Sequence, residues 1–318
     1  MTRVFLTGLS GQDGSYLAER LVAEGEDVHA LAHAEEPLPA APGVTVHVGD
    51  LTDVAGTRAL LLDLAPQQVL NLAAVSSVAR SWSEPDLVAR VNGAGAAALL
   101  ESAWQVQERY GEQVRFVQAS SAEIFGQPER SPQDETTPVR PVNPYGAAKA
   151  YAHHLVGVYR GRGLHATSAI LYNHESPRRP PAFVTRKITA AVAAIARGGR
   201  EPLVLGNLDA RRDWGWAPDY VDALVRAVRA ERPDDYVVAT GESHAVRDFV
   251  AAAFAHVGIE DWERYVEVDP ALVRPVDATE LVGDATRARE RLGWRPTVGF
   301  ADLVGRMVEA DLASERAG

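Results

Sequence analysis

Short apolar runs alternate with longer amphipathic stretches along the first half of the chain. Val4 to Leu6 predicts a strand, followed by a glycine-rich turn and a helical pattern that places Tyr16, Leu17, Leu21 and Val22 on one face. Gly25 closes that helix, and Val28 to Leu31 reads as the next strand. Val44 to Val48 and Gln68 to Leu72 read as the third and fourth strands, with a helix over Val54 to Leu64 between them. A long Ala-rich helix is expected over Val88 to Gln107. A strand follows at Arg115 to Gln118, then a helix at Ala148 to Arg160 and a strand at Thr167 to Leu171. Such alternation predicts a parallel sheet with helices on both faces and right-handed crossovers. After Tyr172 the rhythm changes. Pro177, Pro180 and Pro181 crowd one loop, and fewer, shorter strands are expected beyond it.

Composition narrows the function classes. The 318 residues suffice for two packed units of roughly 150 each. With 32 Lys+Arg against 43 Asp+Glu the formal net charge is −11, which argues against a surface that tracks nucleic acid or an anionic membrane. A few local arginines could still hold an anionic ligand. The absence of cysteine excludes disulfides, thiolate metal sites and cysteine nucleophiles. No apolar run approaches the roughly 18–20 residues of a membrane span, and the opening MTRVFLTGLSGQDGS lacks the pattern of a secretory leader. A soluble, cytoplasmic protein is expected.

Gly8, Gly11 and Gly14 form a GxxGxxG pattern between the first strand and the first helix. Glycine permits a tight turn and a close backbone approach to a pyrophosphate, and the helix start offers unpaired N–H groups to its charge. Gln12 and Asp13 lie inside this loop. A glycine-rich turn without a ligand is the alternative, and the position at the head of a strand–helix series argues against it. Asp50, Leu51 and Leu72 follow later strands and are candidates to border a dinucleotide; Asp50 either accepts from an adenine amine or caps the next helix. At the end of the second strand, Leu31-Ala32-His33-Ala34-Glu35-Glu36 carries no arginine, and its acids sit slightly late. NAD and NADP are therefore not separated by this segment. The fold class is α/β: a Rossmann-type doubly wound parallel sheet over residues 1–172, with a smaller C-terminal substrate-binding lobe built mainly from 173–318 and some segments returning to the first unit.

Tyr145 and Lys149 are four residues apart, which on a helix puts both on one face. A nearby ammonium is expected to depress the phenol pKa, so that Tyr145 can act as a base on a sugar hydroxyl. Ser121 follows the strand at Arg115 to Gln118, where carboxyl ends of strands line a crevice. Together these residues resemble the short-chain dehydrogenase/reductase superfamily, and the chain length resembles its extended, nucleotide-sugar branch. By that resemblance Lys149 also binds the nicotinamide ribose.

Glu123 lies two residues past Ser121. In an extended segment both would share one face. A carboxylate beside an oxidising tyrosine points to a second proton transfer. Oxidation at carbon 4 of a hexose acidifies the proton on carbon 5, and a base there can expel the carbon 6 hydroxyl as water.

The chain also resembles the GDP-mannose 4,6-dehydratases over nearly its whole length. Thr7 to Glu19 resembles their opening. Ser121 to Gly126, Ser131 to Pro138, Asn173-His174-Glu175-Ser176-Pro177-Arg178-Arg179, Phe183 to Ile188, Gly206 to Gly215, Arg274-Pro275 through Gly283-Asp284 and Leu292 to Pro296 continue the match. The resemblance implies that Glu123 removes the carbon 5 proton and that Tyr145 and Lys149 are the oxidising pair. Ser121 stands where threonine is usual. Ser76 lies near the substrate, and Asn173, Val184, Lys187, Arg212, Arg274 and Asp277 line the GDP-sugar; Lys187, Arg212 and Arg274 supply charge for its diphosphate. Arg178 and Arg179 hold either the loop or the ligand. The implied cofactor is NADP, with NAD as the alternative. The implied assembly is a homodimer through helices including Val88 to Gln107 and Ala148 to Arg160, with a tetramer as the alternative.

The chain also departs from that pattern. His33-Ala34-Glu35-Glu36-Pro37 and a short Pro/Ala linker replace an Arg-Arg pair and a longer loop. Val75, Ser77, Trp216, Pro218, Asp277 and Thr279 differ from the residues usual at their places. The rival readings are a keto-sugar reductase, which would need Tyr145 but not Glu123, a nucleotide-sugar epimerase, and a non-catalytic dinucleotide-binding protein.

Overall fold

The structure is a computed structural model that describes residues 1–34, 41–273, 276, 278 and 280–314. Its strands are β1 (Arg3–Thr7), β2 (Asp27–Ala32), β3 (Val44–Val48), β4 (Gln68–Asn71), β5 (Arg115–Ala119), β6 (His165–Leu171), β7 (Asn173–Glu175), β8 (Leu203–Leu205), β9 (Arg211–Trp216), β10 (Asp235–Val238), β11 (Ser243–Ala245), β12 (Val266–Val268) and β13 (Glu280–Leu281). Its helices are α1 (Gln12–Ala23), α2 (Val54–Leu64), α3 (Val78–Ser83), α4 (Pro85–Val88), α5 (Ala96–Tyr110), α6 (Pro144–Gly161), α7 (Val184–Ala196), α8 (Ala217–Arg229), α9 (Val246–His256), α10 (Thr286–Leu292) and α11 (Phe300–Ser314).

Seven strands form one parallel sheet in the order β3-β2-β1-β4-β5-β6-β10. Side chains alternate across it, as the two-residue period of a strand requires. Val4 and Leu6 of β1 pack with Leu17 and Leu21 of α1 and Leu224 and Val228 of α8. Phe5, between them, packs on the opposite face with Leu61 of α2, Leu99 of α5 and Val156 of α6. All of these are fully buried, and each such side chain contributes about 1.5–3 kcal/mol by leaving water. The sheet is therefore doubly wound, and its strand order reverses between β1 and β4. At such a point the flanking loops diverge and leave a crevice at the carboxyl ends.

A second core gathers Ile188 and Val192 of α7, Phe249 and Phe254 of α9, Met307 and Val308 of α11, and Trp214 of β9. Two small sheets border it: β9 pairs with β7, β11 and β13, and β8 with β12. Strand β10 and helix α8 come from beyond residue 173 yet pack on the large sheet.

One expectation is corrected and another refined. Seven strands follow residue 172 among the described residues, against six before it; they are mostly short but not fewer. The Ala-rich helix is found, its helical backbone running without a gap from α4 into α5 through a π-helical segment, Ala89–Gly95. Its Asn92 side chain accepts from Val75 N–H at 2.8 Å and donates to the Val75 carbonyl at 3.1 Å. At Gly95 a Cβ would stand 2.8 Å from the Leu51 side chain. Long-range ties of this kind open one turn of a helix that local propensity would have kept regular.

Candidate active site

The loop after β1 is shaped by its glycines. Gly8 has φ +80, and a Cβ there would lie 2.9 Å from the backbone at Leu72 and Ala73. At Gly14 a Cβ would stand 1.9 Å from the Gly8 carbonyl oxygen. The Gly11 N–H donates to that same oxygen at 3.1 Å. Thr7 Oγ1 accepts from the N–H groups of Leu72 and Ala73 at 3.2 and 3.0 Å, which ties the ends of β1 and β4 together. Helix α1 starts at Gly11 with no side-chain cap. Its first N–H groups are thus left for an anion, over a backbone surface that only glycine could provide. These residues fit the pyrophosphate of a dinucleotide.

Leu51 is buried, with its side chain against Gly95. Leu72 is half-buried. Asp50 is exposed and accepts from Thr52 N–H at 2.7 Å; the cap of α2 is Asp53 instead, accepting from Gly56 N–H at 3.0 Å. Gln12 and Asp13 turn inward. Gln12 donates to the His174 carbonyl at 3.0 Å and accepts from Ser176 Oγ at 2.8 Å. Asp13 meets the His174 imidazole at 2.7 Å, and His174 Nδ1 bonds the Tyr172 carbonyl at 2.6 Å. Burial would raise the Asp13 carboxyl, but the charge and hydrogen bond of His174 hold it below its usual range. Burial would likewise lower His174, and Asp13 holds it above its usual value. Both shifts describe a charged pair.

Ser121, Glu123, Tyr145 and Lys149 come together at the carboxyl end of β5. Ser121 itself is extended, but Ala122–Ile124 is a 3₁₀ turn, so the extended-face argument for Ser121 and Glu123 is corrected. The turn folds the pair together another way: Glu123 N–H donates to Ser121 Oγ at 3.2 Å. Helix α6 then docks on it. Asn143 caps α6 by accepting from Gly146 N–H at 2.8 Å and donates its amide to Glu123 Oε2 at 2.8 Å. A Cβ at Gly146 would stand 2.5 Å from the Glu123 carbonyl oxygen, so glycine sets this approach.

The Tyr145 phenol is hydrogen-bonded by Ser121 and feels the charge of Glu123. Lys149, only 3% exposed, donates to the Ala119 carbonyl at 2.7 Å, and its Nζ lies 5.8 Å from the Tyr145 ring centre. Burial pushes Tyr145 up to about 12; Glu123 acts in the same direction, Ser121 and Arg179 in the other. The expected depression by Lys149 is therefore corrected: its ammonium is committed to Ala119, and burial dominates the phenol. Burial also pushes Lys149 down to about 8, with Asp13 the opposing charge.

Asn173 is half-buried in β7, Val184 and Lys187 are exposed on the first turns of α7, and Ser76 is exposed in the loop before α3. Arg212 is buried on β9, its Nη1 donating to the carbonyls of Arg211 and Ala278 at 2.8 and 2.9 Å. Arg274 and Asp277 lie outside the described residues, as do Glu35 and Glu36. Arg178 stacks over Tyr16 and donates to Ser15 and Glu19, so it binds the loop to α1. Arg179 ion-pairs with buried Glu175 at 3.1 Å and lies over Phe183, while its charge acts on Tyr145 and Asp13. Sequence reasoning missed His174 and Asn143. An asparagine one residue before Pro144 is a cap signal, which was available; the Asp13 pairing was not.

A family model described as GDP-mannose 4,6 dehydratase matches residues 5–307. The chain belongs to that family. It is 44% identical over 322 residues to the GDP-mannose 4,6 dehydratase 1 of Arabidopsis thaliana, covering 96% of this chain and 89% of that one. It is 40% identical over 340 residues to the GDP-mannose 4,6 dehydratase of Homo sapiens, covering 96% and 90%. Among solved structures it is similar to the UDP-glucose 4-epimerase of Thermus thermophilus in complex with NAD, with 31% identity, a TM-score of 0.85 and coverage of 98% and 99%. No helix among the described residues is long and apolar enough to cross a membrane.

Proposed function

We propose that this chain is a hydro-lyase that converts GDP-mannose to GDP-4-keto-6-deoxy-mannose. The observation that carries the reading is the meeting of a hydroxyl, a phenol and a carboxylate at Ser121, Tyr145 and Glu123, backed by buried Lys149, in a chain of this family. A bound nicotinamide dinucleotide supplies a hydride acceptor for oxidation at carbon 4 and a donor for reduction at carbon 6, and ends as it began. Tyr145 takes the proton of the carbon 4 hydroxyl, and Ser121 bonds the same oxygen. Glu123, oriented by Asn143, takes the carbon 5 proton that the new ketone acidifies. That proton leaves with the carbon 6 hydroxyl as water, and when hydride adds to carbon 6 a proton returns to carbon 5, which balances the one Tyr145 took from the carbon 4 hydroxyl. A reductase needs no such carboxylate.

Gly8, Gly11, Gln12, Asp13, Gly14, Asp50, Leu51, Leu72, Tyr145 and Lys149 hold the dinucleotide in this reading, and Ser76, Asn173, Val184, Lys187 and Arg212 the GDP-sugar. For Gln12, Asp13 and Leu51 the contribution is backbone or positioning, given their inward side chains. Arg274 and Asp277 enter through the family resemblance. That resemblance implies NADP, with NAD as the alternative. Residues 1–172 with the returning α8 and β10 form the dinucleotide half, and the rest of 173–318 the sugar-nucleotide lobe. A homodimer through α5 and α6 is supported by Tyr151 and Val158, which are 52% and 57% exposed and lie two turns apart on one side of α6.

The test is to incubate the purified protein with GDP-mannose and no added cofactor, and to weigh the product. Loss of one water is expected. An unchanged mass, with turnover of a keto-sugar by NADPH, would favour the reductase.

A further inference from the structure

We propose that this chain binds NAD rather than NADP. The inference rests on reading the Gly8 to Gly14 loop as the cradle of a nicotinamide dinucleotide, and it concerns the adenosine end alone. In a sheet of this order the adenosine ribose lies at the end of β2, where an arginine accommodates a 2′-phosphate. Residues 21–57, which hold β2, β3 and the segments after them, contain no lysine and no arginine.

The described residues at that end are Ala32, His33 and Ala34. Gly49 N–H donates to the Ala32 carbonyl at 3.0 Å, which lays the segment after β3 against them. The Asp50 carboxylate is thereby brought to 3.9 Å from the His33 imidazole, and both side chains are close to half exposed. The Thr52 N–H bond holds Asp50 below the usual carboxylate range, and the His33 imidazole acts in the same direction. Arg178 and Arg20, the arginines of the neighbouring α1 surface, are already bonded to Glu19 and to Glu24 and Asp222.

A phosphate monoester carries about −1.5 to −2 charges near neutral pH. Here it would meet an ionised carboxylate whose nearest basic neighbour is the His33 imidazole, at 3.9 Å. The 2′-hydroxyl of NAD meets no such repulsion and can donate to a carboxylate. The charge at this end therefore selects the unphosphorylated ribose.

The test has two arms. The purified protein is denatured in acid and the released nucleotide identified by mass spectrometry; NAD is expected, and NADP would overturn the inference. The protein freed of nucleotide is then titrated with NAD⁺ and with NADP⁺. NAD⁺ is expected to bind at least tenfold tighter, and equal or reversed affinities would overturn it. Ala34→Arg, at an exposed position, is expected to move the ratio at least tenfold toward NADP⁺; an unmoved ratio would remove the cause assigned here. Water loss from GDP-mannose by a protein loaded with NADP would sink this inference and leave the proposed activity standing, whereas NAD-loaded protein inert toward GDP-mannose would do the reverse.

Discussion

The carboxylate of Asp13 and the imidazole of His174 meet at 2.7 Å, across 161 residues of chain. One belongs to the glycine loop, the other to the strand that opens the second lobe. The pair fastens the dinucleotide cradle to the lobe that carries Arg179, Val184 and Lys187. Tyr220 stacks on His174 with ring centres 4.5 Å apart, which excludes water from one side of it.

Removing one partner should be costly. Asp13→Asn is expected to destabilise the fold by about 3 kcal/mol, because a buried charge is left unpaired. His174 is raised above its ordinary 6.5, so its share of the pair is fully present below that pH and is lost as pH rises through the raised value. Asp13 is depressed below its ordinary 3.8, so its share is present above that pH and is lost as pH falls through the depressed value. Urea unfolding at pH 5.5 and at pH 8.5 checks this: the gap between wild type and variant should be wider at the lower pH.

Lys149 presents the opposite case. Burial lowers it from 10.5 to about 8, so the folded chain gives up this proton more readily than the unfolded one. The cost is fully present below pH 8 and fades as pH rises from about 8 to 10.5, where the unfolded state binds more protons. Lys149→Met is expected to lose activity and yet gain about 1–3 kcal/mol of stability at pH 7, the gain being reduced by the lost bond to Ala119. Paired thermal unfolding and activity assays read both; a destabilised variant would mean that the ammonium is net stabilising where it lies.

Glu123→Gln keeps the shape and the Asn143 contact but removes the base. Water loss should fall by about 10²–10⁴-fold, while label at carbon 4 still exchanges into the bound cofactor. Full activity in the variant would contradict the role given to the carboxylate. Asn143→Ser should retain the helix cap and lose the amide that orients Glu123, and a fall of about 10–100-fold in kcat with little change in KM is expected.

Gly14→Ala tests the cradle itself. The new Cβ would stand 1.9 Å from the Gly8 carbonyl oxygen, and backbone on both sides cannot yield without opening the loop. Purified protein should carry less dinucleotide, seen as a lower ratio of 260 to 280 nm absorbance. Full retention would show that the loop tolerates a side chain.

What the sequence made legible was local. The glycine spacing, the Tyr145–Lys149 interval and the first six strands follow from short-range periodicity. The Ser121–Glu123 geometry was mistaken because two-residue alternation assumes extended backbone, and a 3₁₀ turn intervenes. The effect of Lys149 on Tyr145 was mistaken because burial, a property of the packed chain, dominates the phenol, and the ammonium is bonded to the Ala119 carbonyl. The π-helical turn at Ala89–Gly95 is tied to Asn92 reaching Val75, and the Asp13–His174 pair to two distant segments meeting. No pattern within a window of one helix or strand contains either contact.

The central claim is that one site oxidises carbon 4, removes water and reduces carbon 6 of the same sugar. GDP-mannose carrying deuterium at carbon 4, mixed with unlabelled substrate and incubated with the purified protein without added cofactor, tests it most directly. The account predicts a product lighter by one water with deuterium at carbon 6 of the molecules that began labelled. Deuterium scattered into unlabelled molecules, or a product formed only when reduced cofactor is supplied, would contradict it.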